Sequence, residues 1–365
     1  MKVNPNIRNL SPYQPGRPID EVARELGLRK LIKLASNENP HGPSPLALEV
    51  IDQGLAQLSR YPDGAAFDLK YKLSEHLNIE SEQVTVGNGS NDILDLVARC
   101  ALRPGAEAII SEHAFIVYKL ATISAGGHLV EVPARNYGTD LSAMLRAVTE
   151  KTAIIFLANP NNPTGTYVDS EELQGFLDHL PDDIWVVLDE AYAEYVSHAS
   201  YPDGIKLLGR YPNLIVTRTF SKIYGLAGLR VGYSVSSAKI ADLMNRVRQP
   251  FNVNSLGMAS AAAALSDKKF VAQSKRFNDD GMKVVCDCLM ELGIPYIPSV
   301  GNFISFDTGG PAIGVYEQLL KKGFILRPIG EYGLPDFLRV TIGTEEENRE
   351  FLDVLPDVMG VVRKT

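Results

Sequence analysis

Lys222 closes the run Thr219-Phe220-Ser221-Lys222, and Arg230 follows inside Ala227-Gly228-Leu229-Arg230-Val231-Gly232-Tyr233. Upstream lie Asn162, in Asn161-Asn162-Pro163-Thr164-Gly165, and Asp189, with Tyr192 three residues on. An amide, a carboxylate, a phenol, an amine and a guanidinium in that order are the parts needed to hold pyridoxal phosphate. The amine bonds the cofactor's aldehyde carbon, and the carboxylate faces its pyridinium nitrogen. A lysine ordinarily titrates near pH ~10.4, so Lys222 must be desolvated or set near positive charge to serve as nucleophile and proton carrier. Asp189 would keep the ring nitrogen protonated, which makes the ring an electron sink. Asn162 and Tyr192 are candidates to hydrogen-bond the phenolic oxygen.

The elements that must position these groups follow from short apolar runs bounded by turn residues. These are Ala108-Ile109-Ile110, Leu129 to Val132, Ala153 to Leu157, Trp185 to Leu188 and Leu214 to Thr217. They are too short for helices and alternate with helix-like stretches, which predicts buried strands of a largely parallel sheet. Ligands of open α/β sheets bind beyond the carboxyl ends of strands. Asn162, Asp189 and Lys222 each fall just after one of these runs, so three strand ends deliver three polar groups to one edge. A further strand, Gln83 to Val86, leads through Gly87-Asn88-Gly89-Ser90-Asn91 into a helix carrying Leu94, Val97, Ala98 and Ala101 at helical spacing. Backbone N–H groups and a serine at that helix start suit a phosphate. Asp92 stands where a dinucleotide fingerprint would need its third glycine. Ser221 and Arg230 could add contacts to the same phosphate.

At 365 residues the chain exceeds one small core, and two domains are expected. The first 45 residues, rich in Pro, Asn and Arg, read as an extended arm with one helical stretch near Ile19 to Leu28. The character changes after Gln249-Pro250. There an Ala-rich helix (Leu256 to Leu265) and a long charged helix (Lys268 to Leu292) precede strands at Tyr296-Ile297, Asn302 to Phe306, Phe324 to Arg327 and Phe337 to Thr341. The expected division is therefore 1–40 as an arm with part of the small domain, 41–249 as the large domain, and 250–365 as a small α+β domain. The formal charge of −8 disfavours nucleic acid or an anionic membrane as the main partner. Three cysteines, Cys100, Cys286 and Cys288, suggest neither a disulfide framework nor a metal site, and point to a reducing cytoplasm. No signal peptide and no membrane-spanning run are expected.

With these motifs in place, the chain resembles the fold-type I pyridoxal-phosphate aminotransferases of the aspartate aminotransferase superfamily, and most closely the histidinol-phosphate aminotransferase family. Matching segments run over nearly the whole chain, among them Asn9 to Arg17, Leu34 to Pro40, Arg60-Tyr61-Pro62-Asp63-Gly64 and Leu338 to Gly343. The resemblance implies a large domain with a mostly parallel central sheet flanked by helices, and a homodimer. It assigns Lys222 to cofactor attachment and proton transfer, and Asp189 to the pyridinium. Asn162 and Tyr192 go to the ring oxygen, and Gly89, Ser90, Asn91, Ser221 and Arg230 to the phosphate. Tyr61 is expected to reach the phosphate in the neighbouring subunit. Relatives often stack tyrosine or tryptophan on the ring; here Phe115 is expected there, with the π-face but without a hydroxyl. Substrate contacts are expected from Tyr13, Asn37, Arg327 and Arg339, the last gripping a carboxylate or, in histidinol phosphate, the phosphate. His113 is expected to be structural. The implied reaction exchanges an amino group between histidinol phosphate and 2-oxoglutarate, giving imidazole acetol phosphate and glutamate. An aromatic amino-acid aminotransferase on the same scaffold is the alternative.

Overall fold

The computed structural model describes residues 5–8, 10, 19–28 and 30–361. The first strand, β1 (Ile32–Lys33), lies far from its neighbours in sequence. Seven strands then build the main sheet: β2 (Val84–Gly87), β3 (Glu107–Ser111), β4 (His128–Val132), β5 (Thr152–Ala158), β6 (Trp185–Asp189), β7 (Leu214–Thr219) and β8 (Gly232–Val235). Their order is β2-β8-β7-β6-β5-β3-β4. All neighbours run parallel except β8, which is antiparallel to both β2 and β7. The expected parallel sheet is present; β8 was not foreseen, because Gly232-Tyr233-Ser234-Val235 follows the arginine motif too closely to read as a strand of its own.

Both faces of this sheet are covered, which is why its strands are apolar at consecutive positions rather than alternate ones. The side-chain period of two still sorts them. Ile154, Phe156, Val187 and Ile215 pack into one cluster, with the helices Ser90–Ala101 and Ile116–Ser124. Ile155, Leu157, Val186, Leu188, Leu214 and Val216 pack into another, against the helix Ser170–Leu177. The same parity sends Asp189 and Thr217 to the first face and Glu190 and Arg218 to the second.

The smaller sheet has the order β12-β13-β10-β9, from β9 (Tyr296–Ile297), β10 (Phe303–Asp307), β12 (Arg327–Pro328) and β13 (Phe337–Thr341), all antiparallel. The stretch expected as one strand from Phe324 to Arg327 is two. Strand β11 (Phe324–Ile325) pairs in parallel with β1, and β12 turns to pair with β13. The long helix Lys268–Leu292 and the C-terminal helix Glu345–Met359 cover this sheet. The latter starts with a capping box between Thr344 and Glu347. We propose the same division at residues 249–250, with the helix Ser255–Ser266 bridging it. Its Met258, Ala261, Ala264 and Leu265 bury themselves beside Val84, Val86 and Tyr233 of the main sheet. Among the described residues no helix is long and apolar enough to cross a membrane.

Candidate active site

A cavity open to solvent lies at the carboxyl ends of β5, β6 and β7. Lys222 reaches it three residues after β7 ends. Its amine donates to the Ser36 carbonyl at 3.1 Å and sits 5.5 Å from the centre of the Tyr192 ring. Burial, followed by the charges of Arg339 and Arg230, pulls its pKa down to about 7. The desolvation and positive surroundings that the chemistry requires are both present.

Asp189 ends β6 and faces the same cavity. Tyr118 donates to its Oδ2 at 2.8 Å, and Thr217, its partner across β6 and β7, donates to Oδ1 at 2.8 Å. Burial pushes this carboxyl up, against those hydrogen bonds, the Ala191 backbone N–H and the charge of Lys222. A buried carboxylate held by neutral hydroxyls and open to a cavity suits a cation in front of it. A protonated pyridine nitrogen is such a group.

The anion end of the cavity is assembled from two elements. The helix Ser90–Ala101 presents its first N–H groups, which have no partners within the helix. Gly89 has φ +83°, and a Cβ there would lie 2.4 Å from Arg230 Nη2. A Cβ on Gly232 of β8 would lie 2.3 Å from the Ser90 nitrogen. Two glycines thus let the helix start press against β8 and bring Arg230 alongside. Arg230 donates to Ser221 Oγ at 3.3 Å and to the Ala227 carbonyl at 3.1 Å. Ser90, Asn91, Ser221 and Arg230 all line the cavity, and Gly89 packs against that arginine.

The opposite wall comes from the small sheet. Arg327 on β12 and Arg339 on β13 are paired directly across the strands, and both are buried. Like charges placed opposite one another oppose folding. Glu331 accepts from Arg327, while Arg339 donates to Asn162 Oδ1 and, at 2.6 Å, to the Ala35 carbonyl. Asn37 donates to Tyr192 Oη at 2.9 Å, which fixes the phenol. Phe115 lines the cavity just before the helix Ile116–Ser124.

Of the expected site residues, Tyr61 is not in this cavity. It is 84% exposed on the surface and stacks on Phe251 with ring centres 4.9 Å apart. Tyr13 falls outside the described residues. His113 is held by its ring Nδ1 at 2.6 Å from the Tyr332 carbonyl, a structural contact. Reading by motif missed Tyr118, Thr217, Ser36 and Tyr332. Thr217 had a usable signal, since parallel neighbours in register bring the end of one strand beside the other. Tyr118 had none, because its partner lies 71 positions away.

Residues 29–355 match the family model described as aminotransferase class I and II, the class that the fold and the cavity define. Histidinol-phosphate aminotransferase 2 of Pseudomonas aeruginosa is 55% identical over 358 residues, 98% of this chain and 97% of its own. The protein of the same name from Nitrosospira multiformis is 53% identical, covering 96% of this chain and 90% of its own. The crystal structure of histidinol-phosphate aminotransferase from Sinorhizobium meliloti in complex with pyridoxal-5'-phosphate superposes with a TM-score of 0.91 at 29% identity, covering 98% of each chain. Thermus thermophilus aspartate aminotransferase with maleate, 21% identical, has a TM-score of 0.84 and shares the fold. The chain belongs to the histidinol-phosphate aminotransferase family.

Proposed function

We infer that this chain binds pyridoxal phosphate through Lys222 and exchanges an amino group between histidinol phosphate and 2-oxoglutarate, giving imidazole acetol phosphate and glutamate. The observation that carries the reading is one cavity lined together by a lysine, a buried carboxylate and two buried cross-strand arginines. When bound, the cofactor supplies an electron sink for negative charge developing at the substrate's amino-bearing carbon. The chain supplies the rest. Lys222 Nζ takes the proton from that carbon of the donor. In the second half-reaction it delivers one to the carbon that was the carbonyl carbon of 2-oxoglutarate, and its lowered pKa lets it do both near neutrality. Asp189 opposes a positive ring nitrogen. Asn162 and Tyr192 hold the ring oxygen, and Phe115 covers a ring face. Gly89, Ser90, Asn91, Ser221 and Arg230 hold the cofactor's phosphate. Arg339, with Arg327, Asn37 and Tyr13, takes the substrate's anionic group, whether phosphate or carboxylate.

Aromatic amino-acid transamination is not favoured, because the full-length relatives at more than half identity carry the histidinol-phosphate name. Glutamate formation from histidinol phosphate and 2-oxoglutarate tests the assignment. An equal or faster rate with phenylalanine or tyrosine as donor would overturn it.

We propose that two copies pair over the face bearing Tyr61, where Leu55, Leu58 and Phe67 are also exposed. Exposed large apolar side chains so close in sequence suit an interface, and Tyr61 would enter the partner's site. Light scattering that gives the mass of a single chain would exclude it. Three free cysteines fit a reducing cytoplasm.

A further inference from the structure

Among the described residues Asp189 is the one carboxylate lining the cavity, and its two oxygens are bonded by residues that no motif marked. Thr217 comes from the adjacent strand, directly opposite Asp189 in the register of β6 and β7. Tyr118 comes from a separate element, the helix Ile116–Ser124, and is fully buried. Its ring stacks on Phe156 with centres 5.0 Å apart and meets the edge of Phe115 at 5.8 Å. The phenol is therefore clamped between two rings, with its hydroxyl 2.8 Å from Asp189 Oδ2. A tyrosine used only as filler would not need its one polar atom aimed at the acid.

We propose that Tyr118 is a positioning residue for the reaction: its hydroxyl orients the Asp189 carboxylate and stabilises its ionised form, so that the proton shared with the cofactor's ring nitrogen stays on the nitrogen. The inference rests on the reading of the site given above. A hydrogen bond donated to a carboxylate favours its charged form, and in a buried setting this offsets the desolvation that favours the neutral acid. Burial and the neighbouring Asp189 charge also push the Tyr118 phenol well above its ordinary pKa, so it keeps its proton and remains a donor at any working pH. Without that donor the carboxylate becomes more basic, and the shared proton moves from nitrogen to oxygen. The ring then draws less charge from the substrate. Because Tyr118 also forms an edge contact with Phe115, the residue expected over the ring, one side chain links the ring's stacking wall to its nitrogen partner.

The test uses the holoenzyme loaded with cofactor labelled with ¹⁵N at the ring nitrogen, whose resonance moves downfield on deprotonation. In the unaltered protein it stands at the protonated position. In Tyr118→Phe it moves downfield, while the phosphate resonance and cofactor stoichiometry are unchanged, and kcat falls about ten-fold, as expected for a lost bond to a charged group. Site-specific replacement of Tyr118 by 3-fluorotyrosine keeps the shape, strengthens the donor, and restores the protonated position and the rate. If the phenylalanine variant does not fold, the fluorinated one carries the test, since a resonance moved downfield there contradicts the proposal. An unmoved resonance and unmoved kcat in a folded Tyr118→Phe holoenzyme would overturn it and leave only packing. Absence of Lys222-dependent cofactor binding in the unaltered protein would instead overturn the underlying reading.

Discussion

Asp189 and Glu190 are consecutive acids at the end of one strand, and they face opposite sides of the main sheet. Asp189 meets neutral donors, Tyr118 and Thr217, and looks into a cavity. Glu190 is enclosed: Arg218 grips its Oε2 through two N–H groups at 2.9 and 2.7 Å, and the Gly204 backbone donates to Oε1 at 2.9 Å. Burial pushes the Glu190 carboxyl up, but a two-pronged guanidinium at those distances keeps the pair ionised. One carboxylate is compensated within the protein and is structural. The other is left to be compensated by what enters the cavity. Burial alone would not separate the two; the charge of the partner does.

The most severe way to break this contrast is Lys222→Ala, which empties the cavity face of its reactive amine and leaves the other face alone. Turnover should vanish while the circular dichroism spectrum of the cofactor-free protein stays unchanged. Asp189→Asn should lower kcat by about 10²–10³-fold, the usual loss for a removed preorganised charge. It should not destabilise the cofactor-free protein. The native state holds the Asp189 proton more tightly than the unfolded chain does, so this acid costs stability once pH rises through that window. The neutral amide removes the cost. Arg218→Met should do the reverse, lowering stability by about 3–5 kcal/mol by leaving Glu190 buried without its partner. Adding Glu190→Gln should recover much of that loss in a double-mutant cycle read by urea denaturation.

The gentlest perturbation is pH. With Lys222 at about 7, its neutral, reactive fraction drops about ten-fold per unit below that value and levels off above it. Covalent capture of pyridoxal phosphate by the cofactor-free protein, followed by absorbance, should trace that curve. Because the unfolded chain still binds this proton up to about pH 10.4, the lysine's contribution to stability grows as pH rises from 7 toward that value. A capture curve centred above 9 would show that the cavity does not depress the amine.

The face bearing the cavity was the legible one. Asn162, Asp189 and Lys222 could be placed because each follows a short apolar run, and strand ends converge in a parallel sheet whatever the loops between them do. The Gly89 turn was readable for a similar reason, since two glycines before a helix start signal a close backbone approach. The structural face was silent. Arg218 sits inside Thr217-Arg218-Thr219 with nothing local to say that it points away from the cavity, and only the parity of β7 decides it. Tyr118 was hidden because its role depends on which helix packs beside β6. The helix Pro45–Gly54 follows a Pro-rich stretch that reads as arm, and its few buried residues give little periodic signal. Tyr61 was assigned by resemblance, and a single chain holds it at the surface.

The parallel pair of β1 and β11 is only two residues long on each side, yet it works as a hem. It stitches Ile32-Lys33 to Phe324-Ile325, just before β12 of the small sheet, while Asn39 donates at 2.8 Å to the Ile223 carbonyl, beside Lys222 in the chain. The five residues between those anchors supply the carbonyls that receive Lys222 and Arg339 and the amide that fixes Tyr192. Trimming the chain up to residue 31 would leave that strap tied at both ends. Removing eight residues more would take away the acceptors of two cations together, and the loss would be felt as electrostatics at the reactive amine before it was felt as a missing piece of fold.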